Sequence, residues 1–167
     1  MTLERKIPLI LQILIFLLPV NIYVIGDWIG TGVQFLFFRY QQTSMGNGFI
    51  LLNREIYFVF SGILKGRSAF SSVVYVVGVA LIIIATILIV SDYIRKEPGF
   101  LKQTAIINGI AAAVFIGSVF LQYGIFLNGA SGIDVPFGVP IILIIAFWQY
   151  RLASAPPAEA ETNADPA

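Results

Sequence analysis

The sequence predicts an all-α membrane protein: a four-transmembrane-helix bundle with an amphipathic interfacial segment between its first and second helices. Three observations predict it. Four apolar stretches, at about residues 7–26, 69–91, 104–126 and 135–150, dominate a chain of 167 residues. The composition is 58% hydrophobic and only 11% charged, with a mean hydropathy of +0.90, whereas a soluble domain carries about a quarter charged residues. The segment 27–67 is too polar to be a fifth span and too rich in aromatic residues to be an ordinary soluble loop. One integral membrane domain over residues 1–152 and an acidic, Pro-rich tail over 153–167 account for the length.

A membrane helix needs about 20 residues to cross about 30 Å of hydrocarbon. The first three stretches meet that length. In the first, Arg5 and Lys6 precede the apolar run, and Pro19 is expected to kink the helix and free the carbonyl of Ile15. A cleavable signal ending at Val24-Ile25-Gly26 competes for this stretch, but it lacks an A-x-A signature and is long for an h-region. Cleavage would leave three spans. The fourth stretch, Val135 to Tyr150, is short and contains Pro136 and Pro140. Proline is tolerated in a first helical turn, so the regular helix is expected to begin near Pro140 or just before it. The end Phe147-Trp148-Gln149-Tyr150-Arg151 reads as an aromatic belt with a basic anchor.

Basic residues near the span ends set the expected orientation. Arg5, Lys6, Arg95, Lys96, Lys102 and Arg151 fall on one side, against Arg39, Arg54, Lys65 and Arg67 on the other. Both termini are therefore expected in the cytoplasm and the 27–67 segment outside, in a multi-pass protein of the cell membrane.

The 27–67 segment has two apolar halves around Ser44-Met45-Gly46-Asn47-Gly48. Two readings of it stand. Phe49, Leu52, Ile56, Val59, Phe60 and Ile63 make an apolar helical stripe that would lie in the membrane interface. Alternatively, Asn47-Gly48 closes a hairpin between aromatic-rich strands, and Val33–Tyr40 suits a strand. A helix is expected over 53–64, and 28–42 is left between a continuation of the first helix and an extended piece.

The composition also excludes function classes. The chain has no Cys and no His, which removes the usual ligands of haem, iron–sulfur clusters and zinc, and with them thiol nucleophiles and Ser-His-Asp triads. No cofactor is expected. A net charge of +1 gives no footprint for a nucleic-acid partner, and no Walker-type phosphate loop is present. No acidic or basic residue sits in the middle of any span, which counts against an ion-coupled pump.

Candidate functional residues fall in three groups. Asp27, Arg39, Arg54, Glu55 and Asp134 form a candidate outer polar site, which binds a headgroup, glycan or partner, or simply anchors the chain at the interface. Arg54 and Glu55 stand out because apolar residues flank them. Gln12 and Asn21 lie in the first span, Asn108 and Gln122 in the third and Gln149 near the end of the fourth; carboxamides in lipid hydrogen-bond to neighbouring helices. Gly109, Ala113 and Gly117 form a small-residue stripe that allows close helix approach, within the bundle, in a homo-oligomer or on a partner.

The layout of cytoplasmic ends, a larger first outer loop and a smaller second one is similar to the claudin and tetraspan arrangement, without the cysteines that staple those loops. The expected function is a non-catalytic subunit, assembly factor or scaffold acting through 27–67, with membrane lipids and a partner membrane protein or second copy as its contacts. The alternatives are an oligomeric channel with Asn21, Asn108, Ser118 and Gln122 as its lane, and a lipid- or glycan-processing enzyme using Arg54 and Glu55 with Asp27 or Asp134.

Overall fold

The computed structural model describes residues 3–95 and 99–154. The acidic tail beyond Ser154 and the connecting residues 96–98 lie outside the described residues, as does the side chain of Arg5.

The fold is α+β, not the all-α bundle expected. Helix α1 (Leu3–Leu17) leads into four strands, β1 (Asn21–Ile25), β2 (Gly30–Gln34), β3 (Phe38–Thr43) and β4 (Gly46–Leu51). A short helix α2 (Leu52–Phe60) follows, then the long helices α3 (Gly66–Arg95) and α4 (Leu101–Tyr123). Strands β5 (Asn128–Gly129) and β6 (Gly132–Val135) precede α5 (Gly138–Ser154). The strands form one six-stranded antiparallel sheet in the order β4-β3-β2-β1-β6-β5.

The first correction concerns the span count. Among the described residues, only α3 and α4 are long and apolar enough to cross a membrane, judged by length and composition. At 1.5 Å per residue they run about 45 and 35 Å. The remaining two apolar helices have 15 and 17 residues. The first stretch does not continue as helix to residue 26, and Pro19 does not kink it. Proline disfavours α geometry in the residue before it, and α1 stops at Leu17. The β-branched residues Ile22, Val24 and Ile25 that follow then enter the sheet. In the fourth stretch Val135 belongs to β6, and the helix begins at Gly138, just before Pro140 as expected.

The second correction concerns the 27–67 segment. It is mostly sheet, and its helix is limited to Leu52–Phe60. The hairpin reading holds for its first half, with the turn displaced: Thr43 pairs with Gly46 around Ser44–Met45, and Asn47-Gly48 lies within β4. Phe49, expected on the helical stripe, is a strand residue.

Connectivity places the sheet at one end of the helices: the C-terminal ends of α1 and α4 and the N-terminal ends of α3 and α5 all meet it. The most extensive helix pairings are α3 with α4 and α4 with α5. The core between helices and sheet is formed by Ile15, Val20, Leu36, Val79, Ile82, Phe115, Val139 and Ile142. Gly78 allows the Phe115 ring to lie against α3, since a Cβ there would fall 2.7 Å from that ring.

A polar cluster crosses this apolar interior. Asn108 of α4 donates to Gln12 of α1 at 2.7 Å and to Gln149 of α5 at 2.9 Å. Gln12 in turn donates to Asn108 at 3.3 Å and to Thr86 of α3 at 3.1 Å. The three carboxamides, all fully buried, thus join four helices, which is the helix-to-helix bonding expected of them.

Candidate functional site

The paired strands of the sheet keep their charged side chains on the face toward the helices. Side chains alternate along a strand, and the strand register sorts them into two faces. Ile22, Val33, Tyr40, Phe49 and Val135 form one row across five strands, on the side away from the helices. Most of that row is exposed. Phe38 extends it, stacked against Phe35 at 4.7 Å and packed against Phe49 at 5.0 Å between ring centroids. Among the described residues, no outward position on the sheet carries a charge.

The opposite face carries Asn21, Tyr23, Gln34, Arg39 and Asp134 and is turned toward the helices. Asn21 pairs with Gln34, Gln34 with Arg39, and Tyr23 with Asp134. These side chains, together with Glu55 of α2, Ser71 and Tyr75 of α3 and Ser118, Gln122 and Tyr123 of α4, line a cavity of about 110 Å³. Gly32 makes room for it. A Cβ at this position would lie 2.3 Å from the Tyr23 ring, so the tyrosine can only lie across the sheet where its neighbour has no side chain.

Arg39 Nε and Glu55 Oε1 are 2.8 Å apart, an ion pair not aligned as a hydrogen bond. Burial raises the pKa of Glu55, and the Arg39 guanidinium only partly offsets it. Asp134 is more extreme: burial pushes its carboxyl up to about 7. The Tyr23 phenol is likewise raised, chiefly by burial. The Oδ1 atoms of Asn21 and Asp134 and the Tyr23 hydroxyl have no hydrogen-bond partner among the described residues. Ser71 Oγ donates to the Ser118 carbonyl at 2.8 Å, and Tyr75 OH to the Phe35 carbonyl at 2.7 Å; these bonds hold the helix ends against each other and against the β2–β3 turn.

No family model, curated protein or solved structure matches this chain.

The structure brings together three of the five residues of the candidate outer polar site: Arg39, Glu55 and Asp134. Asp27 is exposed on the β1–β2 turn. Arg54 is exposed too, its guanidinium carbon 5.6 Å from the Phe58 ring centroid. Arg54 and Glu55 are therefore separated by the helix they share, one outward and one inward. Asn21 and Gln122 belong to the cavity rather than to the interhelical carboxamide cluster. The small-residue stripe is outside the intramolecular packing: Ala113 is exposed, and a Cβ at Gly109 or Gly117 would meet nothing within 4 Å. Sequence reasoning missed Tyr23, Gln34 and Ser71. A usable signal was the alternation Asn21-Ile22-Tyr23-Val24, polar and apolar by turns inside a run that hydropathy alone reads as one span.

Proposed function

We propose that this chain is a small non-catalytic membrane protein, a subunit, assembly factor or scaffold that docks a partner protein through its outer 27–67 segment. The observation that carries the reading is the free face of the sheet: it is uncharged, and it presents the largely exposed apolar row Ile22, Val33, Tyr40, Phe49 and Val135 beside a second row of uncharged polar residues, Thr31, Gln42 and Asn47. An exposed apolar patch of this extent marks an interaction surface. The partner that fits it presents an uncharged, apolar surface of its own.

Membrane residence has separate support. In the most apolar stretches of α3 and α4, only 33% and 44% of the residues are buried by the rest of the chain, whereas a core helix of a soluble domain is covered on most sides. Phe70, Val77, Ile84, Ile87, Ile106, Ile110 and Phe120 are all exposed on them, as lipid-facing side chains would be. In this reading α3 and α4 anchor the protein, α1 and α5 pack beside them, and the basic end opposite the sheet, with Arg95, Lys102 and Arg151, faces the cytoplasm.

The geometry favours this over the two alternatives. The residues of the supposed channel lane are split: Asn108 bonds to Gln12 and Gln149, while Asn21, Ser118 and Gln122 line the cavity, with Phe115, Val79 and Ile142 in the core between. The cavity is also well below the roughly 300 Å³ at which small-molecule pockets begin, and Asp27 and Arg54 point away from it.

The test is site-specific photocrosslinking in native membranes. A crosslinker at Tyr40 or Phe49 should give one discrete protein adduct, lost when Ile22→Glu places a charge in the row; a crosslinker at Lys65 should not give it. Adducts to lipid only, or none, would sink the proposal.

A further inference from the structure

We propose that the elbow between α2 and α3 is a binding surface for anionic phospholipid: Tyr57, Phe60 and Ile63 enter the lipid, and Arg54, Lys65 and Arg67 meet headgroup phosphates. The inference rests on the membrane residence argued above, and not on the docking of a protein to the sheet.

The exposed stripe of α3 sets the depth of the elbow. Phe70, Val73, Val77, Ala80, Ile84 and Ile87 are exposed at steps of three and four residues, so they line one side of the helix. Arg67, also exposed, stands three residues before Phe70 at the head of that stripe. A basic residue at the end of a lipid-facing stripe reaches the headgroup layer and lays its stem along the apolar surface. The turn that joins α2 to α3 is short and tied by its backbone. Ser61 N–H donates to the Tyr57 carbonyl at 2.8 Å, and Leu64 N–H to the Phe58 carbonyl at 2.9 Å. The C-terminal end of α2 is therefore held near the level of Arg67.

The uncovered side of α2 has the chemistry of that layer. Glu55 turns inward to Arg39, whereas Arg54, Tyr57 and Phe60, spaced three apart, run along the outer side. Tyr57, Ile63 and Phe60 are 61%, 63% and 87% exposed. Large apolar side chains so exposed and so close along the chain make a patch rather than scattered singles. Arg54, Lys65 and Arg67 are all exposed. The only acidic residue between Asp27 and Asp92 is Glu55, which is buried. The elbow is thus apolar and positive, with no exposed acid to offset it. That combination suits a short interfacial helix on anionic lipid. An uncharged protein surface of the kind that fits the sheet would leave three cations unmatched.

The chain has no Cys, so single-cysteine variants of the full chain can carry a fluorophore at chosen sites. They are reconstituted in vesicles that contain brominated phosphatidylcholine or brominated phosphatidylglycerol as the quencher. A label at Phe60→Cys should be quenched, and one at Asn47→Cys, on the free face of the sheet, should not. At Phe60 the relative association constant of phosphatidylglycerol should exceed that of phosphatidylcholine by about fivefold or more. Arg54→Gln, Lys65→Gln and Arg67→Gln combined should make the two lipids equal. A label at Ile84→Cys tests membrane residence itself. Quenching there with none at Phe60 would overturn this proposal alone, and no quenching at Ile84 would overturn both readings. Equal quenching at Phe60 and Asn47, no preference for phosphatidylglycerol, or a preference that survives the triple variant would each overturn it as well.

Discussion

Arg39 of β3 meets Glu55 of α2 with 2.8 Å between Nε and Oε1, and through that contact the short helix α2 is fixed beneath the sheet. The two side chains are unequal, 25% and 4% exposed. Breaking a buried ion pair costs about 3–5 kcal/mol, because the remaining charge is left without a partner. Arg39 can turn toward water; Glu55 cannot. Arg39→Met is therefore expected to destabilise by about 3 kcal/mol and Glu55→Gln by clearly less. Denaturant unfolding in detergent at pH 8 checks the order, and equal losses would contradict it.

Asp134 makes stability depend on pH. Its carboxyl titrates near 7 in the fold against an ordinary value of 3.8. The folded state therefore binds the proton more tightly than the unfolded state. The stability this contributes is present at acid pH and is lost as pH rises from about 4 through 7. Each tenfold difference in proton affinity between the two states is worth about 1.4 kcal/mol, so the whole decline amounts to about 4 kcal/mol. Tyr23, Arg39, Glu55 and Tyr123 face the same cavity, and burial raises the Glu55 carboxyl in the same direction. Unfolding measured from pH 4.5 to 8 in choline buffer should show the decline in the wild type, and Asp134→Asn should flatten it.

The carboxamide cluster predicts non-additive mutations. Asn108→Leu leaves Gln12 and Gln149 short of partners and is expected to cost about 1–3 kcal/mol. Replacing Gln12, Asn108 and Gln149 together with leucine or methionine removes the stranded groups as well. The triple variant should lose less than the sum of the single variants. Additive losses would show that the three side chains do not act as a unit.

Glycine substitutions separate close contacts from open faces. A Cβ at Gly132 would lie 2.8 Å from Gly26 N and closer still to the Val24 carbonyl oxygen, at a backbone φ of +119°. Gly132→Ala should therefore cost about 2 kcal/mol or more, from strain and overpacking together. Gly109→Ala and Gly117→Ala meet nothing within 4 Å; inside a helix they should be neutral or stabilising by up to about 1 kcal/mol. Thermal shifts of the three variants decide this, and a loss at Gly109 or Gly117 would reveal a contact made outside the single chain.

Part of the fold was legible in the sequence for simple reasons. The second and third stretches are uniformly apolar over more than twenty residues, and they are α3 and α4 with small changes at the ends. The start of α5 followed from Pro140. The first stretch was misread because hydropathy averages over a window and does not separate a helix from a buried strand. Leu18-Pro19 followed by Ile22, Val24 and Ile25 was the local cue that it changes structure midway. The sheet as a whole was harder to see. Its apolar row faces outward, so the alternation in β1–β4 does not mark the face that packs on the core.

The candidate site was half legible. Arg39, Glu55 and Asp134 drew attention as charges set in apolar surroundings, and they meet in one cavity. They are distant in sequence, and their meeting depends on β6 pairing with β1 and on α2 folding under β3. Arg54 and Glu55 are adjacent in sequence and looked like a unit, yet helical geometry turns neighbouring side chains about 100° apart, and only one reaches the cavity.

By itself the sequence determined the apolar character of the long helices, the lack of thiol and imidazole chemistry, and the carboxamides available to join helices. These are properties of residue type and local run length. Only the tertiary structure decided which face of the sheet carries the buried charges, which charges are paired, and that Asp134 pairs with Tyr23 across β1 and β6. Those depend on strand register and on contacts across more than a hundred residues of chain, which no local pattern encodes.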